Sequence, residues 1–306
     1  MNLKLVIIGK TGQLARALTH EIPKHGHHGL WLDREALDLS WDEVKITQII
    51  MDLPDDVNGV ILAAAYTKVD QAETEPELAF KVNGAAPGVI ARACQRRGLA
   101  LVHISTDYVF DGKALSPYSP LDETAPINIY GKSKLLGEIA ILESRARAVI
   151  LRTSWVFDGT GRNFLSTMLR LAKTHKDLSI VDDQIGRPTF AGDLAIAAIR
   201  SLELLSGDTQ FSGGIFHVTG GGDPVSWAGF AEAIFEQSKS LLSHSIRIKK
   251  ISTDQYPTAS VRPAYSMLDL RAFEKFFGYK LPDWNEGLKK ALKARYAIVN
   301  QERDRS

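Results

Sequence analysis

The chain has 306 residues, of which 44% are hydrophobic, and its formal net charge is +1. This length is enough for one large core or two unequal domains. The near-zero charge offers no basic surface for nucleic acid or an anionic membrane, and no apolar run approaches membrane-spanning length. The single cysteine, Cys94, excludes an internal disulfide framework, so we expect a reducing compartment and a cytoplasmic location.

The first predicted strand, Leu3 to Ile8, ends in a glycine-containing turn that leads into a helical pattern. Gly9 permits a tight bend, Gly12 lets the backbone approach a pyrophosphate, and the small Ala15 lets the helix pack closely on the strand. Free backbone amides at the start of that helix favour the binding of a phosphate group. The turn of Gly9 and Gly12 therefore predicts a dinucleotide-binding site.

The second predicted strand, Gly29 to Leu32, is followed by an acidic and a basic residue that bear on coenzyme choice. The Asp33 carboxylate can accept both hydroxyls of an adenosine ribose, which favours NADH. The neighbouring Arg34 can pair with the 2′-phosphate of NADPH. The sequence thus predicts a nicotinamide coenzyme and leaves the choice between NADPH and NADH open.

Further along the chain, apolar strands alternate with amphipathic helices, at Val60 to Ala65, Ala100 to Ser105 and Ala148 to Leu151. Such alternation predicts an α/β fold with a doubly wound parallel sheet of the Rossmann type. Ligands in these sheets bind beyond the carboxyl ends of the strands, which is where Ala63 to Ala65 and Thr106 fall.

Tyr130 and Lys134 lie four residues apart in a predicted helix that Asn128 precedes, so their side chains share one helix face. A cation within about 4 to 6 Å lowers the pKa of a phenol by about 1 to 3 units, toward useful acid strength. Taken alone the pair also fits a solvated helix face, because the chain has eight tyrosines and many lysines. Together with Thr106 at the same crevice, it predicts a proton donor.

Beyond Leu151 the pattern changes and predicts a second, smaller domain. A predicted helix from Gly192 to Leu205 and a strand from Ile215 to Thr219 return to the sheet. We therefore expect a dinucleotide-binding domain of residues 1–154 and about 191–222. Residues 155–190 and 223–306 would form an interleaved C-terminal substrate domain.

Several motifs, spread over nearly all of the chain, carry a family resemblance: Gly12 to Leu14, Ala63 to Thr67 with Val69-Asp70, Val82-Asn83, Ser105 to Gly112, Asn128 to Lys134, Arg152 to Phe157, Gln184 with Gly186 to Thr189, and Arg262-Pro263. With these motifs the chain resembles the extended short-chain dehydrogenase/reductases that act on sugar nucleotides. One departure is Ala15, where many relatives carry a third glycine.

The resemblance implies reduction of the 4-keto group of a dTDP-linked 6-deoxyhexose by NADPH or NADH. Tyr130 would deliver a proton to the forming alkoxide, and Thr106 would hydrogen-bond the keto oxygen. Lys134 would hold the nicotinamide ribose and keep the phenol acidic.

The resemblance also implies binding residues around these three side chains. The residues that it places on the coenzyme are Gly9, Thr11, Gly12, Gln13, Leu14, Asp33, Asp38, Leu39, Ala63, Ala64, Ala65, Thr67, Tyr130 and Lys134. On the sugar nucleotide it places Thr106, Asp107, Tyr108, Trp155 and, for the diphosphate, Arg262. Two of these have ordinary structural alternatives, because Asp38 also fits a helix cap and Trp155 a core position.

Two other functions remain open at this stage. A sugar-nucleotide epimerase or dehydratase uses the same triad, although Tyr108 stands where dehydratases carry a second acid. A non-catalytic regulatory subunit of the methionine adenosyltransferase type would also bind the coenzyme. The eight histidines show no zinc-ligand spacing. The resemblance leaves room for Mg²⁺ at a homodimer interface, which no residue here supports.

Overall fold

The computed structural model describes residues 1–242 and 244–303, which form alternating strands and helices. The strands are β1 (Lys4–Ile8), β2 (His28–Leu32), β3 (Gly59–Leu62), β4 (Ala100–Thr106), β5 (Ala148–Thr153), β6 (Val156–Phe157), β7 (Asp177–Val181), β8 (Ile185–Gly186), β9 (Thr189–Phe190), β10 (Gly213–His217), β11 (Val225–Ser226) and β12 (Arg247–Ile251). The helices are α1 (Gln13–Lys24), α2 (Glu43–Met51), α3 (Val69–Ala72), α4 (Pro76–Ala79), α5 (Ala86–Arg97), α6 (Ile129–Glu143), α7 (Phe164–Leu171), α8 (Ala191–Gly207), α9 (Trp227–Gln237), α10 (Arg271–Phe277) and α11 (Trp284–Arg303). A π-helical segment spans Phe80–Ala85, and 3₁₀ turns span Asp107–Val109, Lys239–Leu241 and Thr253–Gln255.

The central sheet holds six parallel strands in the order β10-β5-β4-β3-β1-β2. The chain goes from β1 to β2 on one side and then to β3 on the other, so the direction of winding reverses beside β1. In doubly wound sheets, ligands bind at such a reversal, beyond the carboxyl ends of the strands. The predicted α/β fold with a doubly wound parallel sheet is confirmed.

Helices cover both faces of this sheet because its strands are apolar on both sides. In β1, Leu5 and Ile7 face a core shared with α1 and α8, whereas Val6 and Ile8 face a second core shared with α2 and α5. Successive side chains of a strand point to opposite faces, which explains why a continuous apolar run is buried from end to end. Because helices cover both faces, a ligand is expected beyond the carboxyl ends of the strands.

A third core lies apart from the sheet and is built by β6, α7, α9 and α11, with Phe157, Phe230 and Leu288 among its buried residues. In contrast, Phe273 of α10 and Leu281 pack into the core of the sheet. The division into residues 1–154 with 191–222, and 155–190 with 223–306, stays a prediction. Within the described residues, no helix is both long and apolar enough to cross a membrane.

Two of the predicted strand boundaries that differ from the structure have local explanations. β3 ends at Leu62 and not at Ala65: the Ala63 amide still donates to the Ile8 carbonyl at 3.0 Å, and the chain then passes close to Gly9 at Ala64. β10 begins at Gly213, two residues before the predicted start. Gly213 has a φ of +107°, and a Cβ there would collide with the Ala148 carbonyl of β5. Glycines rarely signal strands in sequence, so this start was hidden.

Candidate active site

The turn after β1 has the backbone geometry that a dinucleotide pyrophosphate requires. Gly9 has a φ of +110°, and a Cβ at this position would lie 3.1 Å from the Ala64 amide nitrogen. Gly12 is the N-cap residue of α1 and has no side chain that could cap the helix. A Cβ at this position would have no atom within 4 Å, so the space beside it is open. The first amides of α1 are therefore without a side-chain cap, which suits an anion at a helix N-terminus.

The end of β2 presents a carboxylate beside a lysine. The Lys10 ammonium lies 3.5 Å from the Asp33 carboxylate, and the Ala36 amide donates to the same carboxylate at 3.1 Å. That backbone hydrogen bond is the largest cause that lowers the pKa of Asp33, and the charge of Lys10 lowers it further. Asp33 is therefore an ionised acceptor with a cation beside it, where the ribose of a coenzyme is predicted to lie.

Arg34 and Asp38 bind each other at the next position of this edge. The Arg34 Nε donates to the Asp38 carboxylate at 2.8 Å, and the Ser40 amide donates to the same side chain. The helix that follows is capped by Asp42 and not by Asp38. Leu39 is buried in the core beneath β1, so only its backbone is left to face an adenine. The coenzyme roles of these three residues stay predictions.

The segment after β3 is held in place by an asparagine. Asn83 accepts a hydrogen bond from the Tyr66 amide at 2.8 Å and donates to the Tyr66 carbonyl and to the Ser133 hydroxyl. These bonds fix the chain from Ala63 to Thr67 against α6. The predicted coenzyme residues Ala63, Ala64, Ala65 and Thr67 thus lie between the glycine turn and the helix of Tyr130.

Close packing brings Tyr130 to the end of β4. Asn128 caps α6, because its side chain accepts from the Gly131 amide at 2.7 Å. A Cβ at Gly131 would collide with the Tyr108 carbonyl, so only glycine allows this approach. The Tyr108 and Tyr130 rings meet edge to face, with centroids 5.6 Å apart. The structure therefore brings Tyr130 and the turn after Thr106 together, as the sequence predicts.

The surroundings of Tyr130 correct the predicted direction of its pKa. Burial raises the pKa of Tyr130 well above its ordinary value, the charge of Asp107 raises it further, and the Thr106 hydroxyl opposes the rise. The expectation of a lowered pKa is therefore wrong, because desolvation dominates and the Lys134 ammonium is directed to the Ile104 carbonyl and His103. Tyr130 holds its proton at neutral pH.

Lys134 is buried beside β4, where two acceptors face it. Its Nζ donates to the Ile104 carbonyl at 2.6 Å and lies 3.1 Å from Nε2 of His103. Burial lowers the pKa of Lys134 to about 8, against the opposing charge of Glu138. Burial, together with the charge of Lys134, also keeps the pKa of His103 well below its ordinary value, so the imidazole is a neutral acceptor. An ammonium has three donors, so one N–H is left for a ligand.

Sequence reasoning missed a buried ion pair behind the site. The Arg152 guanidinium binds the Glu138 carboxylate at 2.7 and 3.0 Å, and the Ser105 hydroxyl donates to the same carboxylate. The two charged side chains are only 3% and 1% exposed. A signal was present, since Glu138 follows Lys134 by four residues and Arg152 interrupts an apolar strand. The pair links α6 to the ends of β4 and β5.

Arg262 reaches the site from the far end of the chain. Its guanidinium donates to the Asp70 carboxylate at 2.8 Å and to the Tyr108 hydroxyl at 3.2 Å. The structure thus brings the predicted diphosphate residue next to Tyr108, and Asp70 is its present partner. Asp70 was part of the recognised motif without a predicted role.

Trp155 lies at the same edge of the sheet, two residues beyond Thr153, which pairs with Thr106. Its indole stacks on Trp227 with ring centroids 3.7 Å apart, and its φ is +50°. A bulky residue at positive φ is strained and persists only where packing demands it. Trp155 is only partly buried, and its role on the sugar nucleotide stays a prediction. Among the described residues, no three histidine, cysteine, aspartate or glutamate side chains cluster as metal ligands would.

A doubly wound sheet with a glycine turn at its reversal, and a threonine, tyrosine and lysine at its carboxyl edge, defines a nicotinamide-dependent oxidoreductase of the short-chain dehydrogenase/reductase type. The family model described as RmlD substrate binding domain matches residues 3–297. The dTDP-4-dehydrorhamnose reductase of Sinorhizobium fredii is 39% identical over 95% of this chain and 97% of its own. That of Burkholderia thailandensis is 41% identical over 92% of this chain and 95% of its own. The crystal structure of the Bacillus anthracis dTDP-4-dehydrorhamnose reductase in complex with NADP superposes with a TM-score of 0.87 and 34% identity, covering 96% of this chain and 100% of the other. The chain belongs to the dTDP-4-dehydrorhamnose reductase family.

Proposed function

We propose that this chain reduces the C4 keto group of dTDP-4-dehydrorhamnose (dTDP-4-dehydro-6-deoxy-L-mannose) to give dTDP-L-rhamnose, with Tyr130 as the proton donor. The coenzyme, NADPH or NADH, supplies the hydride. The observation that carries the reaction is full-length membership of the family, with Thr106, Tyr130 and Lys134 present at one edge of the sheet.

Tyr130 is suited to donate a proton because it is fully protonated until an alkoxide forms. Burial raises its pKa, so the proton stays on the phenol until the alkoxide that develops beside it provides a stronger base. The Thr106 hydroxyl would fix the keto oxygen against Tyr130, which is an orientation effect. Lys134 would use its remaining N–H to hold the nicotinamide ribose.

On the sugar-nucleotide side, we propose that Tyr108 and Trp155 line the hexose pocket. Arg262 would exchange its contact with Asp70 for the diphosphate, because its planar fork matches phosphate oxygens. A homodimer and a cytoplasmic location remain part of this proposal. Mg²⁺ is not assigned to any residue.

The test is coenzyme oxidation by purified protein supplied with dTDP-4-dehydrorhamnose, followed by NMR of the product. Oxidation that yields the L-rhamno product supports the proposal. Conversion of the sugar without net coenzyme oxidation would indicate an epimerase or dehydratase. Tight coenzyme binding without any turnover would indicate a regulatory subunit instead.

Coenzyme preference gives a first variant to measure. We expect Asp33→Ala to lower kcat/KM with NADH relative to NADPH by about tenfold, because it removes a charged acceptor of the ribose hydroxyls and frees Lys10 for a phosphate. The ratio of kcat/KM for NADH to kcat/KM for NADPH is measured at saturating sugar nucleotide. Asp56→Ala is the matched control, since Asp56 is also an exposed carboxylate paired with a lysine, Lys4. An unchanged ratio in Asp33→Ala would remove Asp33 from the coenzyme site.

A further inference from the structure

Asp107, which the family resemblance places near the sugar nucleotide, has a buried carboxyl in contact with Thr106. Asp107 follows Thr106 at the start of a 3₁₀ turn and is only 4% exposed. Its Oδ1 accepts from the Thr106 hydroxyl at 3.0 Å. Its Oδ2 is buried and has no donor in good hydrogen-bond geometry among the described residues, although the Ser266 hydroxyl lies near the carboxyl. An unpartnered oxygen costs more on a buried carboxylate than on a neutral acid, so this geometry favours the protonated form.

The hydrogen bonds of Thr106 explain why this matters. A threonine hydroxyl has one proton to donate. In the structure its oxygen accepts from the Tyr108 amide at 3.2 Å, and its proton points to Asp107. The proposed reaction needs that same proton on the keto oxygen of the substrate. An ionised Asp107 therefore competes with the substrate for Thr106.

We propose that Asp107 is a positioning residue whose protonation sets the direction of the Thr106 hydroxyl. With a proton on Oδ1, Asp107 donates to the Thr106 oxygen, and the threonine turns its own proton toward the keto oxygen beside Tyr130. With Oδ1 ionised, Thr106 donates to Asp107 and the keto oxygen loses one of its two hydrogen bonds. This inference rests on the proposed function.

The groups around Asp107 place this change within a measurable range. Tyr130 of α6, Tyr108 of the same turn and Ser266 lie near it, and Arg262 binds the Tyr108 hydroxyl. Burial raises the pKa of Asp107 to about 6, while the Ser266 and Thr106 hydroxyls hold it down. Asp107 is thus mainly neutral below pH 6 and mainly ionised above it.

The pH dependence of kcat/KM with dTDP-4-dehydrorhamnose tests the inference between pH 5 and 7, a range centred on the pKa of Asp107 and below that of Lys134. For the wild type we expect a fall of about tenfold with rising pH, the value of one well-placed hydrogen bond. Asp107→Asn cannot titrate, so we expect its profile to be flat. A fall in Asp107→Asn like that of the wild type would overturn the proposal.

Threonine variants separate this role from a merely structural one. Thr106→Ser keeps the hydroxyl, so its profile should fall like that of the wild type. Thr106→Val should have a lower kcat/KM at every pH, and this value should not change with pH, because no hydroxyl remains that could donate to Asp107. A Thr106→Val profile that retains the wild-type fall would also overturn the proposal.

A second measurement needs no turnover and so stands apart from the proposed function. The Asp107 carboxyl can be titrated by NMR of protein labelled with ¹³C-aspartate and assigned with Asp107→Asn. Loss of the Thr106 donor in Thr106→Val should raise the pKa of Asp107 by about one unit. An unshifted carboxyl would overturn the coupling. If the Asp107 pKa shifts in Thr106→Val but the wild-type protein never oxidises coenzyme, only the proposed function is refuted.

Discussion

Replacing Tyr130 with phenylalanine should lower kcat by about 10²- to 10⁴-fold, the range of general acid catalysis by a positioned side chain. The variant removes one oxygen and keeps the ring that meets Tyr108 edge to face. Since the phenol holds its proton at neutral pH and lies beside the Thr106 hydroxyl, we expect it to protonate the alkoxide. The coenzyme dissociation constant should change only a few-fold, because the predicted phosphate contacts lie in the turn after β1.

The measurement is steady-state coenzyme oxidation, with coenzyme affinity followed separately by fluorescence titration. Tyr108→Phe is the matched control, because it removes a neighbouring hydroxyl that binds Arg262 and not the reacting oxygen. It should act mainly on KM for the sugar nucleotide. A Tyr130→Phe enzyme with wild-type kcat would mean that the proton comes from another group.

The parts of this site that sequence predicts are those that local rules determine. The turn of Gly9 and Gly12 is readable because backbone approach to a pyrophosphate needs glycine whatever surrounds it. The cap at Asn128 is readable because it is satisfied three residues away, at the Gly131 amide. The six-stranded sheet follows from apolar runs that alternate with helices.

The parts that sequence did not predict depend on contacts between distant segments. The pKa of Tyr130 rises because α6 is pressed against the Thr106 turn, and no spacing within the helix reports that burial. His103 faces Lys134 because β4 directs alternate side chains toward α6, a consequence of strand placement. The π-helical segment Phe80–Ala85 forms where Asn83 and Gly137 meet, 54 residues apart in the sequence, and was not predicted.

The largest stability effect is expected from Glu138→Ala. This change leaves the Arg152 guanidinium buried and unpaired, 5.0 Å from the Phe110 ring, and removes the acceptor of the Ser105 hydroxyl. Breaking a buried ion pair from one side costs about 3 to 5 kcal/mol in the free energy of unfolding. Urea unfolding followed by circular dichroism measures it.

The double variant Glu138→Leu with Arg152→Met is the control, because apolar side chains of similar volume replace both charges. It should recover most of the lost stability, since the cost of Glu138→Ala lies in the orphaned charge and not in the missing pair. A double variant as unstable as Glu138→Ala would assign the loss to packing instead. A loss below about 1 kcal/mol in Glu138→Ala would show that Arg152 finds another partner.

Glu138→Ala should also weaken coenzyme binding, through Lys134. Burial lowers the pKa of Lys134 to about 8, and the charge of Glu138 opposes that shift. Without Glu138 the pKa falls further, so Lys134 loses its proton as the pH rises through a lower value and then has fewer N–H groups to donate to the ribose. The coenzyme dissociation constant of the variant, relative to the wild type, should therefore rise more between pH 6 and pH 8 than below pH 6. If the ratio of the two dissociation constants were the same at every pH in this range, the ion pair would not act on Lys134 and its role would be purely structural.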